Sequence, residues 1–557
     1  MNARRAGAAC ALVAAALAGS APASAAHPAP APQVDVSAGE AIYLRGIATD
    51  GRPIEALRTA NGLRASGAEV ACVNCHRRSG LGATEGRIAV PPITGRYLYH
   101  QRSKSHDQPD LPYVEGMHKN HPAYDDATLA RAIRDGLNSE GRPLGYLMPH
   151  FALGDADMAA LIEYLKSLDP QRVPGVSDAV LHFATIVTPD ADPVKKQGML
   201  DVMQQYFLEK NTRMLQKSPQ MHTSGDTMYA KTMLMVNRRW QLHVWELTGP
   251  AATWQAQLEQ DLAREPVFAV LSGLGGSNWS PVHAFCEHSR VPCIFPNVEV
   301  PATADGDFYT LYLSKGVLLE AELLARSLQD PALVPLPIRA VRQVYRAGDS
   351  GEAAARALED ALRGKGVPAR SVALPAGRPG SGIAAALKDL AKDEALVLWL
   401  RPADLAALDA AGAPAGPVFL SGMMGGLEHA PLPAAWRSRA WLAMPVDLPE
   451  RRGVRLDFPY GWFRIRHIAL VADQVQADTY LTCGLVAETL SHMVDTFVRD
   501  YLVERTEENL EHRIMTGYYP RLSLSEGQRF ASKGGYVARF ADATGAKLVA
   551  EHDWVVP

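Results

Sequence analysis

The segment C-V-N-C-H at residues 72–76 has the residue types and the spacing that attach haem covalently. The thiols of Cys72 and Cys75 are three positions apart and can reach the two vinyl groups on one edge of a porphyrin. His76 follows directly, where its imidazole can bind the iron. A thioredoxin-like C-x-x-C would follow a βαβ strand, but none is predicted here, and a zinc site would need a second close pair of ligands, which does not follow. The spacing therefore predicts one covalently bound haem c.

The second axial ligand of such an iron has to come from a later loop. Met148 lies in G-Y-L-M-P-H (145–150), just before a predicted helix. A thioether held there by the following proline suits a low-spin, electron-transferring iron. We therefore predict His76 and Met148 as the axial ligands, with His150 as the runner-up. The remaining donors of this polar stretch, which are more typical of solvated loops, are His100, His106, Met117, His118 and His121.

Helices are the elements that must position these residues. Apolar residues recur at helical spacing in 36–46, 125–137 and 155–168, and Asp155 is placed to cap the third helix. Long loops rich in Gly, Pro, His and Arg separate them. A unit over residues 34–169 is therefore predicted, and P-Q-R-V-P-G-V-S within 170–179 is typical of a linker.

Residues 34–169 resemble a class I cytochrome c domain. The resemblance rests on Gly39 and Tyr43 in the first helix, on the C-x-x-C-H motif, and on the terminal stretch M-P-H-F-A-L-G-D-A-D-M-A-A-L-I-E-Y-L (148–165). It implies a small all-α fold in which the first and last helices cross, with both axial positions of the iron taken and none open to substrate. The chain departs from this pattern in an insertion of about fifty residues between His76 and Asp125.

From residue 180 onward, short apolar strands alternate with amphipathic helices in two successive sets, which predicts two α/β lobes with parallel sheets. The Gly-rich turn S-G-L-G-G-S (272–277) is either an anion-binding turn or the tight strand-to-helix turn that any α/β unit needs. It lacks the P-loop Lys-Ser/Thr, the dinucleotide fingerprint and a G-x-S-x-G elbow, and no catalytic constellation stands out. The predicted strands are 183–187, 242–247, 267–271, 292–295, 308–313, 340–345, 372–374, 395–400 and 418–420.

Residues 180–557 resemble a type I periplasmic binding protein of the leucine-binding kind. The resemblance rests on V-F-A-V-L-S-G-L-G-G-S (267–277), H-A-F-C-E-H-S-R-V-P-C-I-F-P (283–296) and the ending 518–540, which is similar to the closing strands of that family. It implies two hinged lobes and a cleft for a small polar ligand. P-D-A-D-P-V-K-K (189–196) replaces the expected Gly-rich, Ser-bearing loop, which counts against amino-acid binding. The cleft positions that this resemblance implies are Ser272, Gly273, Ser277, Asn297, Ser314 and Tyr460.

The bulk properties bound the environment of the protein. The chain has 557 residues and a formal net charge of −4, so no strong field for nucleic acid is implied. Arg4 and Arg5, the short apolar run 8–19 and Ala23-Ser24-Ala25 predict a signal peptide over residues 1–25, cleaved after Ala25 or Ala26. No later stretch resembles a membrane helix. We expect a soluble protein of the periplasm, where Cys286 and Cys293 form either a disulfide or two buried thiols.

These observations combine into one leading hypothesis and two alternatives. The leading one is a multidomain electron carrier, not an enzyme, in which a monohaem cytochrome is fused to a module that binds a small polar ligand or a redox partner. That partner would be a protein such as a periplasmic dehydrogenase or another cytochrome. The alternatives are a solute-binding protein whose haem senses redox state, and a haem-dependent oxidoreductase acting on a ligand in the cleft.

Overall fold

The fold is described from a computed structural model of the chain. It covers residues 36–58, 60–85, 88–100, 122–168, 173–217, 238–330, 332–333, 338–493, 496–525, 527–542, 547–550 and 552–557. The predicted signal peptide and the candidate ligands His106, Met117, His118 and His121 lie outside these residues.

The N-terminal unit, residues 36–168, is built around helices. α4 starts in a capping box in which Asp125 and Thr128 bond reciprocally, and it ends at the left-handed Gly136. α5 begins one residue after Gly154, so Asp155 is the first helical residue and not the predicted cap. The helices are α1 (Val36–Arg45), α2 (Val73–His76), α3 (Gly95–Leu98), α4 (Asp126–Asp135) and α5 (Asp155–Ser167).

The prediction of an all-α unit needs correction, because this unit also contains short antiparallel strands. β1 pairs with both β2 and β5, and β3 pairs with β4. The β1–β2 hairpin turns at Asn61-Gly62, a sequence that favours tight hairpins. Strand pairing satisfies the backbone N–H and C=O groups of these short segments. The strands are β1 (Glu55–Arg58), β2 (Leu63–Ser66), β3 (Ala83–Glu85), β4 (Ile88–Val90) and β5 (His150–Phe151).

The first and last helices of the unit cross in close contact. A Cβ atom on Gly39 would lie only 2.1 Å from the carbonyl oxygen of Ala160, so the crossing requires glycine at this position. Beside it, the rings of Tyr43 and Tyr164 pack at a tilt, with centroids 5.2 Å apart. The helix crossing that the resemblance implied is therefore present.

We call residues 180–557 the body. Its first lobe contains a five-stranded sheet of order β10-β9-β8-β6-β7, in which all the named pairs are parallel. Its strands are β6 (Val180–Val187), β7 (Arg239–Glu246), β8 (Ala269–Leu271), β9 (Cys293–Ile294) and β10 (Thr310–Leu311). Its helices are α6 (Pro193–Lys217), α7 (Trp254–Arg264) and α8 (Ser280–His288).

The second lobe contains a seven-stranded sheet of order β12-β11-β13-β14-β15-β16-β17, parallel except for the last two strands. Its strands are β11 (Ala340–Arg346), β12 (Ala369–Leu374), β13 (Glu394–Trp399), β14 (Val418–Ser421), β15 (Ala440–Met444), β16 (Tyr536–Phe540) and β17 (Leu548–Ala550). Its helices are α9 (Val317–Gln329), α10 (Ser350–Leu362), α11 (Ile383–Ala386), α12 (Pro402–Ala406), α13 (Gly422–Gly425) and α14 (Ala434–Arg437).

Three further helices complete the body: α15 (Pro449–Ile465), α16 (Asp473–Met493) and α17 (Arg499–Glu511). α16 packs on α6 of the first lobe, while the chain returns to the second lobe as β16. Among the described residues of the predicted closing strands in 518–540, β16 forms a strand, and Phe530 before it makes an isolated bridge to Tyr312. Among the described residues, no helix has both the length and the apolar character needed to cross a membrane.

Candidate functional site

The C-x-x-C-H motif folds as a single helical turn, α2. The backbone N–H of His76 donates to the carbonyl oxygen of Cys72 at 2.9 Å, which closes the turn and sets both cysteines on the same short segment. Cys72 is half-buried and Cys75 is exposed. The turn therefore presents two thiols and one imidazole within five residues.

His76 is oriented for metal binding by one hydrogen bond. Its Nδ1 lies 3.0 Å from the carbonyl oxygen of Pro91. Because a carbonyl oxygen only accepts, Nδ1 carries the proton and Nε2 keeps the lone pair that an iron ion would bind. Burial lowers the pKa of His76 to about 4, so the ring is neutral near pH 7. A hydrogen bond such as that from Nδ1 to Pro91 fixes the tautomer and the ring orientation in metal-binding histidines.

The segment after His76, residues 77–82, which we call the haem loop, turns back sharply against residues 90–93. Arg77 has a left-handed φ of +62°, and the hydroxyl of Tyr43 donates to its carbonyl oxygen at 2.6 Å. Gly82 also has positive φ, and a Cβ there would lie 2.1 Å from the carbonyl oxygen of Val90. α1 and this tight turn together hold the haem loop in place.

Met148 is half-buried and packs against the same apolar core as Cys72 and Val73. By contrast, the imidazole of His150 lies against Gly136, where a Cβ would come within 2.2 Å of its Nε2. His100 is exposed. A neutral imidazole with an available Nε2, two thiols on one turn and a thioether on the same core are a donor set that fits haem c. Met148 as the sixth ligand stays a prediction.

In the body, the Gly-rich turn follows β8 at the carboxyl end of the first sheet. Ser272 is buried with φ +50°. Its Oγ accepts from Asn297 Nδ2 at 2.9 Å and lies 2.8 Å from Thr479 Oγ1 of α16. Gly273 is required by Trp279, whose ring would lie 2.6 Å from a Cβ there. The structure thus brings together three of the predicted cleft residues, with Thr479 as a partner that the sequence did not indicate.

The backbone N–H groups of this turn are occupied by the chain itself. The N–H of Ser277 donates to Asp190 Oδ2 at 2.9 Å, and the N–H of Gly276 donates to Thr188 Oγ1 at 3.1 Å. Thr188 in turn donates to the other carboxylate oxygen of Asp190. Asp190 belongs to the P-D-A-D-P segment that departs from the binding-protein pattern. Its carboxylate sits where an anionic ligand of the turn would be held.

The last two predicted cleft residues lie in other bonding groups. The Oγ of Ser314 accepts from the N–H of Gly316 at 3.1 Å. The hydroxyl of Tyr460 lies 3.1 Å from that of Tyr518, which donates to Asp473 at 2.8 Å. Neither residue is hydrogen-bonded to the Ser272 cluster.

An ion-pair network that the sequence analysis missed joins the two lobes. Both guanidinium η nitrogens of Arg401 bond Glu299 at 2.7 and 2.6 Å, and its Nε bonds Asp349 at 2.9 Å. Ser350 and Lys195 also contact Glu299. Burial raises the pKa of Glu299, but its bonds to Arg401 outweigh this and lower the pKa to about 2. Each residue follows a strand at its carboxyl end, the one signal that could have found the group.

One cluster within the described part of the chain has the composition of a metal site: His283, Glu287 and Asp307. Its donor atoms are already used. The imidazole of His283 lies between Tyr312 Oη at 3.0 Å and Asp307 Oδ2 at 2.9 Å. Glu287 accepts three successive backbone N–H groups, those of residues 308–310. The cluster therefore braces the start of β10.

Cys286 and Cys293 are buried thiols that contact each other. A hydrogen bond from one thiol to the other, together with burial, raises the pKa of Cys286. The two side chains are thus adjacent, as a disulfide would need.

Comparison with known families places this geometry in context. Residues 65–169 match the family model of cytochrome c. No curated protein matches the chain.

Solved structures similar to the chain include three substrate-binding proteins. A fatty acid ABC transporter substrate-binding protein from Thermomonospora curvata is 16% identical with a TM-score of 0.48, covering 70% of this chain and 95% of that one. A leucine-binding protein from Thermotoga maritima is 12% identical, with a TM-score of 0.47 and coverages of 68% and 99%. A branched-chain amino acid transporter substrate-binding protein from Streptococcus pneumoniae, in complex with isoleucine, is 13% identical, with a TM-score of 0.46 and coverages of 68% and 100%.

The donor set around His76 and the family match over residues 65–169 both indicate cytochrome c. Residues 180–557 contain two separate sheets. The chain carries a cytochrome c domain, matched over residues 65–169, followed by a larger, two-lobed α/β body.

Proposed function

We propose that the chain is an exported, monohaem c-type cytochrome that carries electrons, and that its body docks a redox partner protein. The observation that carries the first part is the hydrogen bond from His76 Nδ1 to Pro91, which leaves Nε2 available at the end of a C-x-x-C-H turn. Haem bound there supplies a one-electron couple between ferric and ferrous iron.

The residues of this chain then have separate roles. Cys72 and Cys75 would anchor the cofactor and His76 and Met148 would bind its iron, while the hydrogen bond to Pro91 fixes the imidazole of His76. If both residues bind the iron, no position would remain for a substrate on it, which favours electron transfer over catalysis.

The bonding within the cleft supports partner docking over solute binding. Asp190 and Thr188 use the N–H groups of the Gly-rich turn, and Arg401 spans the lobes to Glu299. A small polar ligand would have to displace these internal bonds. The alternative, a redox-sensing protein with a solute in the cleft, requires that displacement.

An oxidoreductase acting in the cleft would need a base that is able to take a proton. Glu299 is held in an ion pair that lowers its pKa to about 2, so it is a poor proton acceptor at neutral pH.

The haem assignment is tested by spectroscopy on protein purified from a host that attaches haem c. We expect a covalently bound, low-spin haem with the weak near-infrared band of methionine–iron ligation, and Met148→Ala should lose that band. Met158→Leu, which changes a buried methionine in α5, is the control and should keep it. A wild-type protein without covalent haem would overturn the proposed function, and a wild type with haem but no such band would exclude Met148.

The body is tested by a thermal-shift screen with amino acids, short carboxylates and alcohols. We expect a flat response, because the internal bonds of the cleft compete with these ligands. A saturable shift with one compound would instead favour the solute-binding alternative.

A further inference from the structure

The haem loop is fastened to the body through one buried side chain of α17. Glu504 accepts from the backbone N–H of Ser79 at 2.9 Å and bonds the Oγ of Ser79 at 2.6 Å. Both residues are buried, with exposures of 1% for Ser79 and 5% for Glu504. Ser79 is three residues beyond His76, so a side chain of the body holds the segment that leads directly from the proximal ligand.

Neighbouring contacts make this attachment rigid. Arg77 bonds Glu507 at 2.9 Å, and the other carboxylate oxygen of Glu507 accepts from Arg529 at 2.6 Å. Leu81, the next apolar residue of the haem loop, is 2% exposed and belongs to the same apolar cluster as the core of the body.

More contacts extend this interface to the first lobe. The guanidinium of Arg78 lies 4.9 Å from the ring centroid of Phe308 and 5.4 Å from that of Tyr309. Arg290 bonds Glu40 of α1 at 2.8 Å. The haem loop and α1 are therefore both packed against the body.

Burial and the charged neighbours of Glu504 together set the pKa of its carboxyl group. Burial raises the pKa of Glu504 to about 8, while the hydrogen bonds from Ser79 and the charge of Arg77 act in the opposite direction. Facing it on α17 are Asp500, whose negative charge raises the pKa further, and Tyr501. Tyr43 of α1 faces it from the N-terminal unit.

We propose that α17 of the body completes the haem site, with Glu504 as the positioning residue that fixes the haem loop and makes the reduction potential depend on pH. This inference rests on the proposed function. An electron delivered by the redox partner makes the site more negative by one charge, so the Glu504 carboxylate takes up a proton from solvent more readily beside reduced haem than beside oxidised haem. Conversely, a deprotonated Glu504 stabilises the ferric form.

The direction follows from the sign of the charge. As pH rises through the pKa of Glu504, the carboxylate becomes negative and reduction becomes less favourable. The midpoint potential should therefore be flat well below pH 8, fall as the pH passes about 8, and level off above it.

The test uses the full haem-loaded chain in spectroelectrochemical titrations from about pH 6 to pH 10. Glu504→Gln keeps the shape and one acceptor oxygen but cannot ionise, so its potential should lose this pH dependence while its haem spectrum stays that of the wild type. Glu508→Gln, at an exposed glutamate on the same helix, should titrate like the wild type.

Ser79→Ala provides a second route if Glu504→Gln does not fold. It removes one of the two bonds to Glu504 and should displace the pH range of the dependence. A wild-type potential that is constant over this range, or variants at Glu504 and Ser79 that both titrate like the wild type, would overturn the inference. Absence of covalent haem in the wild type would instead count against the proposed function, so the two failures are distinguishable.

Discussion

A single hydroxyl group connects the first helix to the residue that follows His76. Tyr43 is fully buried and donates to the carbonyl oxygen of Arg77, whose backbone is in the sparsely populated left-handed region. Such backbone conformations persist when the surroundings hold them in place. The resemblance to cytochromes pointed to Tyr43, and the structure gives it this specific bond.

Tyr43→Phe should destabilise the folded chain by about 1 kcal/mol, because the carbonyl oxygen of Arg77 is left without its donor. Urea unfolding followed by haem absorbance measures this change. Tyr164→Phe is the matched control, since the ring of Tyr164 packs against that of Tyr43 and its hydroxyl has no comparable bond among the described contacts. Equal losses in the two variants would mean that the bond from Tyr43 contributes nothing specific.

At the residue scale, local patterns could be predicted and distant contacts could not. The proposed haem-binding residues could be suggested from the sequence because Cys72, Cys75 and His76 lie within one helical turn. Pro91 and Glu504 act on that turn from 15 residues and more than 400 residues away. Nothing in the neighbouring sequence of either residue indicates which backbone or side-chain group it will meet.

At the scale of elements, the crossing of α1 and α5 depends on the absence of a side chain. Gly39→Ala places a Cβ against the backbone of Ala160, so the helices must move apart, and we expect a loss of about 1–3 kcal/mol typical of overpacking. Thermal unfolding followed by circular dichroism measures it. Gly461→Ala in α15, where a Cβ meets nothing within 4 Å, should be neutral or slightly stabilising. An unchanged melting temperature for Gly39→Ala would show that the crossing is loosely packed.

Runs of apolar residues predicted well where these strands lie, but they predicted poorly where each strand begins and ends. The predicted strand 395–400 is Glu394–Trp399, while 308–313 shrinks to Thr310–Leu311. Phe308 is only partly buried and packs at the edge of the core, and its N–H bonds Glu287 rather than a neighbouring strand. The β1–β2 hairpin was not predicted, although Asn61-Gly62 is a turn signal, because its burial pattern is mostly exposed and gives no clear alternation.

At the scale of the whole molecule, the bridge from Arg401 to Glu299 is the contact on which the relative arrangement of the two lobes should depend. Arg401→Gln leaves the buried Glu299 carboxylate without its main partner. We expect a loss of about 2–3 kcal/mol, below the range for fully buried pairs because the Arg401 side chain is about a third exposed. Small-angle X-ray scattering should show a larger radius of gyration.

Arg339→Gln, at an exposed arginine of the second lobe, is the control and should change neither quantity. A scattering curve for Arg401→Gln that superposes on that of the wild type would mean that other interlobe contacts maintain the arrangement of the two lobes.

The two-lobed architecture was predictable because alternating strands and helices permit few topologies. The bridge between the lobes was not predictable, because it depends on which side chains meet after both lobes have folded. Glu299, Asp349 and Arg401 are separated by about fifty residues each. Each looks like an ordinary surface charge until the sheets are assembled.

Because Leu81 packs into the core of the body, the N-terminal unit and the body depend on each other for their folded surfaces. A cut in the segment between the two parts would leave Leu81 exposed on one fragment, and on the other fragment Glu504 and Glu507 would lose the groups that compensate them. Neither fragment would then be expected to behave as an independent protein. Separation of the two parts therefore requires a redesigned surface around Ser79.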